Sequence, residues 1–187
     1  MTVPVLRKAR RVDGSRLHLR EAEIGDAAFI LSLRLDPKRA RWISPTPPSL
    51  DDQVAWLTRY KADPGQAYFI VCDAQDRAIG TVRLYDARGD SFCWGSWLLV
   101  PGLPPRAALE SALLVYAYAD RLGFRSARLD VRIDNADVRR FHERLFGAEQ
   151  VDQNDIDCFY RVPMPDFRQP SGRFAGLVPD PLPVEFL

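Results

Sequence analysis

Histidine is scarce in this chain of 187 residues: there are two, His18 and His142. Cysteine is nearly as scarce, with Cys72, Cys93 and Cys158 scattered and odd in number. No pair has metal-ligand spacing, so the sequence offers neither a structural zinc site nor a disulfide framework. Each cysteine falls in a strand-like stretch and reads as a buried free thiol. Long apolar runs are missing too. The longest, 107–119, is interrupted by Glu110 and falls short of the ~18 residues of a membrane span. Basic residues near the N-terminus are not followed by an apolar stretch, so no secretory leader is expected and the reducing cytoplasm is the expected compartment. An excess of one charge is absent: 26 Lys and Arg stand against 25 Asp and Glu, a net +1, which disfavours nucleic acid as a partner. Hydrophobic residues at 47% exclude wholesale disorder.

Proline is what the chain has in quantity, and its 15 residues mark the boundaries. Residues 1–15 read as an irregular basic arm. Through residue 16 it carries Arg7, Lys8, Arg10, Arg11 and Arg16 against Asp13 alone. Such an arm is a solvated tail, or it steers an anionic ligand or touches RNA. Residues 16–162 read as one domain. Residues 163–187 hold six prolines and form an extended tail. Its apolar residues, Phe167, Phe174, Leu177, Val178, Phe186 and Leu187, imply that it packs on the domain or on a second copy, the latter giving a homodimer.

Between the arms the periodicities alternate. Residues 17–20 read as a strand and 24–35 as a helix. Residues 36–48 form a loop with four prolines and Trp42. Ser49 caps a helix whose first turn holds Asp51 and Asp52. Strands follow over 66–73, 78–86 and 91–100. A long helix spans 106–122, a strand 126–132, a helix 136–145 and a last strand 157–162. This order predicts an α+β fold: a mixed, mostly antiparallel sheet of six to seven strands with about four helices, and one parallel crossover around the long helix.

The most informative stretch is 126–148. Leu129-Asp130-Val131 leads to Asn135, then to Phe141-His142-Glu143-Arg144-Leu145 and Gly147. This run resembles that of the GNAT superfamily of acyl-CoA-dependent N-acyltransferases. Leu19-Arg20, Trp56-Leu57, Tyr68-Phe69-Ile70-Val71 and Ile79-Gly80 resemble the branch of ribosomal-protein and amino-sugar-nucleotide N-acetyltransferases. The resemblance implies a GNAT-like fold and acetyl-CoA as co-substrate. It implies that Leu98, Leu99 and Val100 pair with the pantetheine arm through their backbone. It places the pyrophosphate turn at 105–110, with Arg106, Ala107 and Ala108 and the neighbouring Ser111. It places the family's asparagine at Asn135, and the tyrosine that acts as acid to the departing thiolate at His142. No glycine stands in the pyrophosphate turn, and Glu110 sits within it, where a carboxylate repels diphosphate. A register shifted by one residue puts Arg106 in the basic position and Ser111 in the last small position, with Glu110 turned outward. Phe146 is an insertion, and Ala148 replaces a phenylalanine.

For the acceptor, Trp42, Arg83, Tyr85 and Trp94 are the candidates, with Tyr160 behind them. Trp94 and Trp97 flank Gly95-Ser96 and face opposite ways if the strand is regular, one into the core and one free to stack on a ring. The base is Asp86, Asp90 or Asp130, or a water held by Ser96. The implied function is acetyl transfer from acetyl-CoA to a primary amine, that of a nucleotide-linked amino sugar. A protein or peptide amine is the alternative acceptor. A non-catalytic GNAT-like module with a degenerate phosphate turn is the alternative class.

Overall fold

The computed structural model describes residues 3–165, 174 and 176–187; Phe167 of the tail lies outside them. In chain order the elements are β1 (Ala9–Asp13), β2 (Leu17–Glu21), a 3-10 turn (Ile24–Asp26), α1 (Ala27–Leu35), α2 (Pro37–Ala40) and α3 (Leu50–Ala62). There follow β3 (Ala67–Asp73), β4 (Ala78–Arg88), β5 (Ser91–Leu99), α4 (Pro105–Arg121) and β6 (Ser126–Arg132). The chain ends with α5 (Ala136–Phe146), β7 (Glu149–Gln153), β8 (Asp157–Pro163) and β9 (Val184–Phe186). They build a single sheet in the order β7-β8-β6-β5-β4-β3-β2-β1-β9. Every pairing is antiparallel except β5 with β6, which α4 connects.

Among the described residues the sheet thus has nine strands instead of the six to seven expected. The additions lie at its edges. Residues 9–13 of the arm form β1 rather than irregular chain, because β2 and β9 satisfy their backbone on both sides. The tail returns as β9, and Phe174 stacks on Phe146 at 5.6 Å, so the tail packs on its own domain. Strand β7 is exposed throughout and lacks the alternation by which a strand is recognised. Prolines and arginines hid α2, a single turn capped by Asp36.

Both sheet faces are covered. Along β3, Ala67, Phe69 and Val71 point to the core under α4, while Tyr68, Ile70 and Cys72 point to a second core under α1 and α3. All three cysteines are free and buried. From Glu110 to Ala119 α4 is buried on every side, as a helix apolar all round should be. No helix among the described residues is long and apolar enough to cross a membrane.

Glu110 is turned inward, not outward. One carboxylate oxygen accepts the backbone N–H groups of Arg16 (2.6 Å) and Leu17 (3.0 Å) at the β1–β2 turn. The acid that looked hostile to a phosphate is therefore spent elsewhere, capping a hairpin. Glu110→Ala should lower the unfolding free energy by about 2–3 kcal/mol, since it strands two amides. Glu110→Gln, which keeps an acceptor oxygen, should lose clearly less. Urea titration measures both, and a loss under about 1 kcal/mol for the alanine would show that water replaces the carboxylate.

Candidate active site

The site begins where a strand pair comes apart. Strands β5 and β6 pair only from Ser91↔Ser126 to Cys93↔Arg128. Beyond that point β5 carries a bulge. Thr81 opposes Leu98 and Arg83 opposes Gly95, so three steps on β5 face two on β4. The extra residue is Ser96, held at φ 49°, a left-handed conformation that costs a non-glycine residue about 1–3 kcal/mol. Its carbonyl accepts the Thr81 hydroxyl at 2.8 Å. The bulge also brings Trp94 and Trp97 to the same side, ring centroids 5.6 Å apart, against the opposite faces expected of a regular strand.

The parting strands open a cleft of about 250 Å³. Its walls are largely apolar: Trp94, Trp97 and Leu98 from β5, Leu129 and Val131 from β6, and Val138 from α5. Trp42 and Ile43 close one side, so Trp42 stands on this cleft, with the Arg41 guanidinium 4.1 Å above its ring. Trp94 is only 2% exposed and belongs to the core side of the wall. The Leu99 carbonyl accepts Arg39 Nε at 2.7 Å, and the Val100 N–H donates to the Ile79 carbonyl at 2.9 Å. Asn135 lines the cleft and caps α5 through Oδ1 to the Val138 N–H, 3.5 Å.

His142 also lines this cleft, but inside an aromatic box rather than on a helix surface. Its ring lies 5.4 Å from Trp94, 5.9 Å from Trp97, 5.1 Å from Phe141 and 6.0 Å from Phe146. Nδ1 has no hydrogen-bond partner among the described residues. Burial alone pushes its pKa down to about 3, so the imidazole is neutral at neutral pH.

At the head of α4, Pro104 is the N-cap and no side chain caps the helix. Arg106 is exposed on the first turn, Ala107 is buried and Ala108 is half-buried. Ser111 faces inward: its hydroxyl accepts Trp97 Nε1 at 3.0 Å and donates to the Ala108 carbonyl at 3.0 Å. Arg106 thus stands at the helix N-terminus, and Ser111 is turned away from it.

On the other side of Ser96 lies a larger cavity, about 470 Å³. Arg34, Arg59 and Arg83 line it together with Trp56, Tyr68, Gln53 and the loop 44–47, and Asp52 is the one acid in its lining. Arg83 sits 5.1 Å over Trp56 and 4.7 Å over Tyr85, and its Nε donates to Gln66 Oε1 at 2.6 Å. Burial lowers the pKa of Arg83 from the ordinary arginine value. Arg34 Nε donates to Thr46 Oγ1 at 2.6 Å, and its Nη1 reaches the Ser96 hydroxyl at 3.4 Å. Among the described residues none of these three arginines forms an ion pair with a carboxylate. Among the described residues Ser96 alone lines both cavities.

Of the acceptor candidates, Arg83 lines this cavity and Tyr85 packs behind it. Tyr160 is buried and bound to Glu143 (2.8 Å) and Arg139 (2.9 Å), which ties α5 to β8. Among the acids, Asp86 is paired with Arg88 at 3.0 Å and Arg128 at 3.1 Å. Asp90 is exposed, and its carbonyl accepts the Arg125 N–H. Asp130 lines the first cleft, where partial desolvation and then Asp157 raise its pKa. Arg34, Arg59 and the Trp56 face escaped notice in the sequence. The signal that could have found two of them is the spacing of 52, 56 and 59, one face of α3 carrying an acid, an indole and a guanidinium.

The family model for the acetyltransferase (GNAT) domain matches residues 16–146. No curated protein sequence matches the chain. Among solved structures, one described as apo FdhC, a nucleotide-linked sugar GNAT, is 36% identical, with a TM-score of 0.71 over 82% of this chain and 89% of that one. A probable GNAT acetyltransferase from Chromobacterium violaceum is 19% identical, with a TM-score of 0.73 over 87% and 90%. Spermidine N-acetyltransferase from Vibrio cholerae, in complex with CoA and spermine, is 21% identical, with a TM-score of 0.66 over 80% and 96%. The last two likenesses are of fold. The chain belongs to the GNAT acetyltransferase family, and acetyl-CoA is its co-substrate. The facing edges of β5 and β6, unpaired with each other beyond Cys93 and Arg128, fit an amide-bearing arm, and the apolar walls fit its methylenes.

The state of His142 has a consequence for stability. An unfolded histidine takes up a proton near pH 6.5, whereas the folded one does so only near pH 3. The stabilisation is whole above pH 6.5 and is lost as pH falls below it, by about 1.4 kcal/mol per unit down to the folded pKa. His142→Phe, which fills the box without titrating, should flatten the acid-side fall. Urea midpoints between about pH 6 and 4 should therefore drop more steeply for the wild type than for the variant.

Proposed function

We propose that the protein transfers the acetyl group of acetyl-CoA to the primary amine of a nucleotide-linked amino sugar. The observation that carries this reading is the cavity beyond Ser96, with three arginines unpaired by carboxylates, one acid and an indole face. Uncompensated guanidinium groups around a partly buried space favour an anion, and a diphosphate brings two negative charges and acceptors for bidentate N–H donors. Trp56 offers a surface for a ring. A polyamine or a basic peptide would meet the same positive charge as repulsion. Likeness to FdhC at 36% identity supports the same acceptor class.

The amine attacks directly in a ternary complex. The backbone of β5 orients the thioester, and the first turn of α4 with Arg106 favours the diphosphate of the co-substrate. His142 acts as a neutral imidazole, giving an N–H hydrogen bond to the departing thiolate rather than a full positive charge.

A panel of acceptors tests the reading: nucleotide-linked amino sugars, spermidine and a basic peptide. The first should show the highest kcat/KM. Arg59→Gln and Arg83→Gln should each raise the KM for that acceptor by about 10-fold or more and leave the KM for acetyl-CoA within about 2-fold. Comparable transfer to spermidine, or indifference of the nucleotide acceptor to both substitutions, rules the acceptor assignment out. His142→Phe should lower kcat with little change in acetyl-CoA affinity; an unchanged kcat removes its assigned role.

A further inference from the structure

The geometry points to the Ser96 hydroxyl as a catalytic hydrogen-bond donor to the thioester carbonyl oxygen, and we propose it in that role. The inference rests on the N-acetyltransfer reading and concerns the point where the two substrates meet. The cleft between β5 and β6 suits the acyl-CoA arm; the cavity beyond it suits the acceptor. Ser96 is the one residue lining both, so carbonyl carbon and amine must come together beside it.

Three further observations bear on the hydroxyl. Ser96 occupies the left-handed position of a bulge, at φ 49°, where glycine would be relaxed. A side chain kept at such a position has a use that outweighs the strain. The carbonyl of Ser96 is held by the Thr81 hydroxyl, which fixes the peptide and hence the Cβ direction. Arg34 Nη1 reaches Ser96 Oγ at 3.4 Å, while the rest of its guanidinium is anchored on Ser44 and Thr46. A hydroxyl that accepts from a cation is left with its proton to give, and it gives it more strongly.

In the reaction the amine lone pair forms the new C–N bond, and the carbonyl π pair moves onto oxygen. The O–H of Ser96 stabilises that developing oxyanion. When the C=O re-forms, the C–S bond breaks and its electron pair leaves with sulfur. The proton lost by nitrogen is the one the thiolate gains, through solvent or His142. The products are the amide and free CoA thiol. Ser96 keeps its own proton throughout, so it is neither nucleophile nor base.

The test uses the full chain with acetyl-CoA labelled with ¹³C at the carbonyl. Infrared difference spectra of bound acetyl-CoA should place the carbonyl stretch lower in the wild type than in Ser96→Ala or Ser96→Gly. The two variants should lose about 10- to 100-fold in kcat, with the KM for acetyl-CoA within about 3-fold. Ser96→Gly should melt about 2–4 °C higher than the wild type, which separates lost chemistry from lost folding. A carbonyl band at the same frequency in wild type and Ser96→Ala, or an undiminished kcat, overturns the proposal. The band is read without any acceptor. Failure to acetylate nucleotide-linked amino sugars therefore overturns the acceptor assignment and leaves the role of Ser96 standing or falling on its own measurement.

Discussion

Strands β5 and β6 stay hydrogen-bonded for three residue pairs and then separate, and the functional architecture follows from that separation. A parallel pair needs a crossover, and α4 supplies it by leaving the end of β5 and returning to the start of β6. The head of α4 is thereby brought to the end of β5 where the cleft opens. The bulge at Ser96 turns the rest of β5 toward β4, which holds it through Thr81↔Leu98 and Gly80↔Leu99. One extra residue in one strand thus makes a cleft between two strands, puts two tryptophans on the same wall and sets a hydroxyl between two cavities.

Two polar groups near the head of α4 are engaged in the interior, which leaves the helix N-terminus clear of them. Glu110 and Ser111 follow the first turn of α4 directly and would hinder or complicate an anion there. Both are drawn inward, Glu110 to the amides of the β1–β2 turn and Ser111 to the indole of Trp97. What remains at the head of the helix is backbone, alanine and Arg106.

The cavity beyond Ser96 follows the opposite logic, leaving charge without carboxylate partners among the described residues. Arg83 is half-buried between Trp56 and Tyr85 and finds a neutral partner, Gln66, instead of a carboxylate. Arg34 spends its donors on hydroxyl and carbonyl oxygens of the overlying loop and on Ser96. A positive charge solvated by neutral groups keeps most of its pull on an anion, whereas one in an ion pair does not. In the aromatic box of His142, Nδ1 finds no partner among the described residues, and burial keeps the ring neutral.

The sequence by itself determined the α+β class, the order of the main elements, the cap at Ser49 and the family, because periodicity, capping chemistry and a local motif are written within a few residues of one another. The resemblance to the family also points to Asn135, His142 and the 98–100 segment, and all of them border the cleft between β5 and β6 or its strand end. Tertiary structure alone decided the rest. Strand β1 and the edge strands β7 and β9 have weak patterns and exist because neighbouring strands pair with them. The burial of His142 depends on Trp94 and Trp97, some forty-five residues away, and their shared side depends on a backbone angle at Ser96 that no residue type announces. The cavity beyond Ser96 joins Arg34, Arg59 and Arg83 from α1, α3 and β4. Arg83 is a candidate from the sequence, but Arg34 and Arg59 read as ordinary surface charges, and only packing of the three elements leaves them facing one space with a single acid among the described lining.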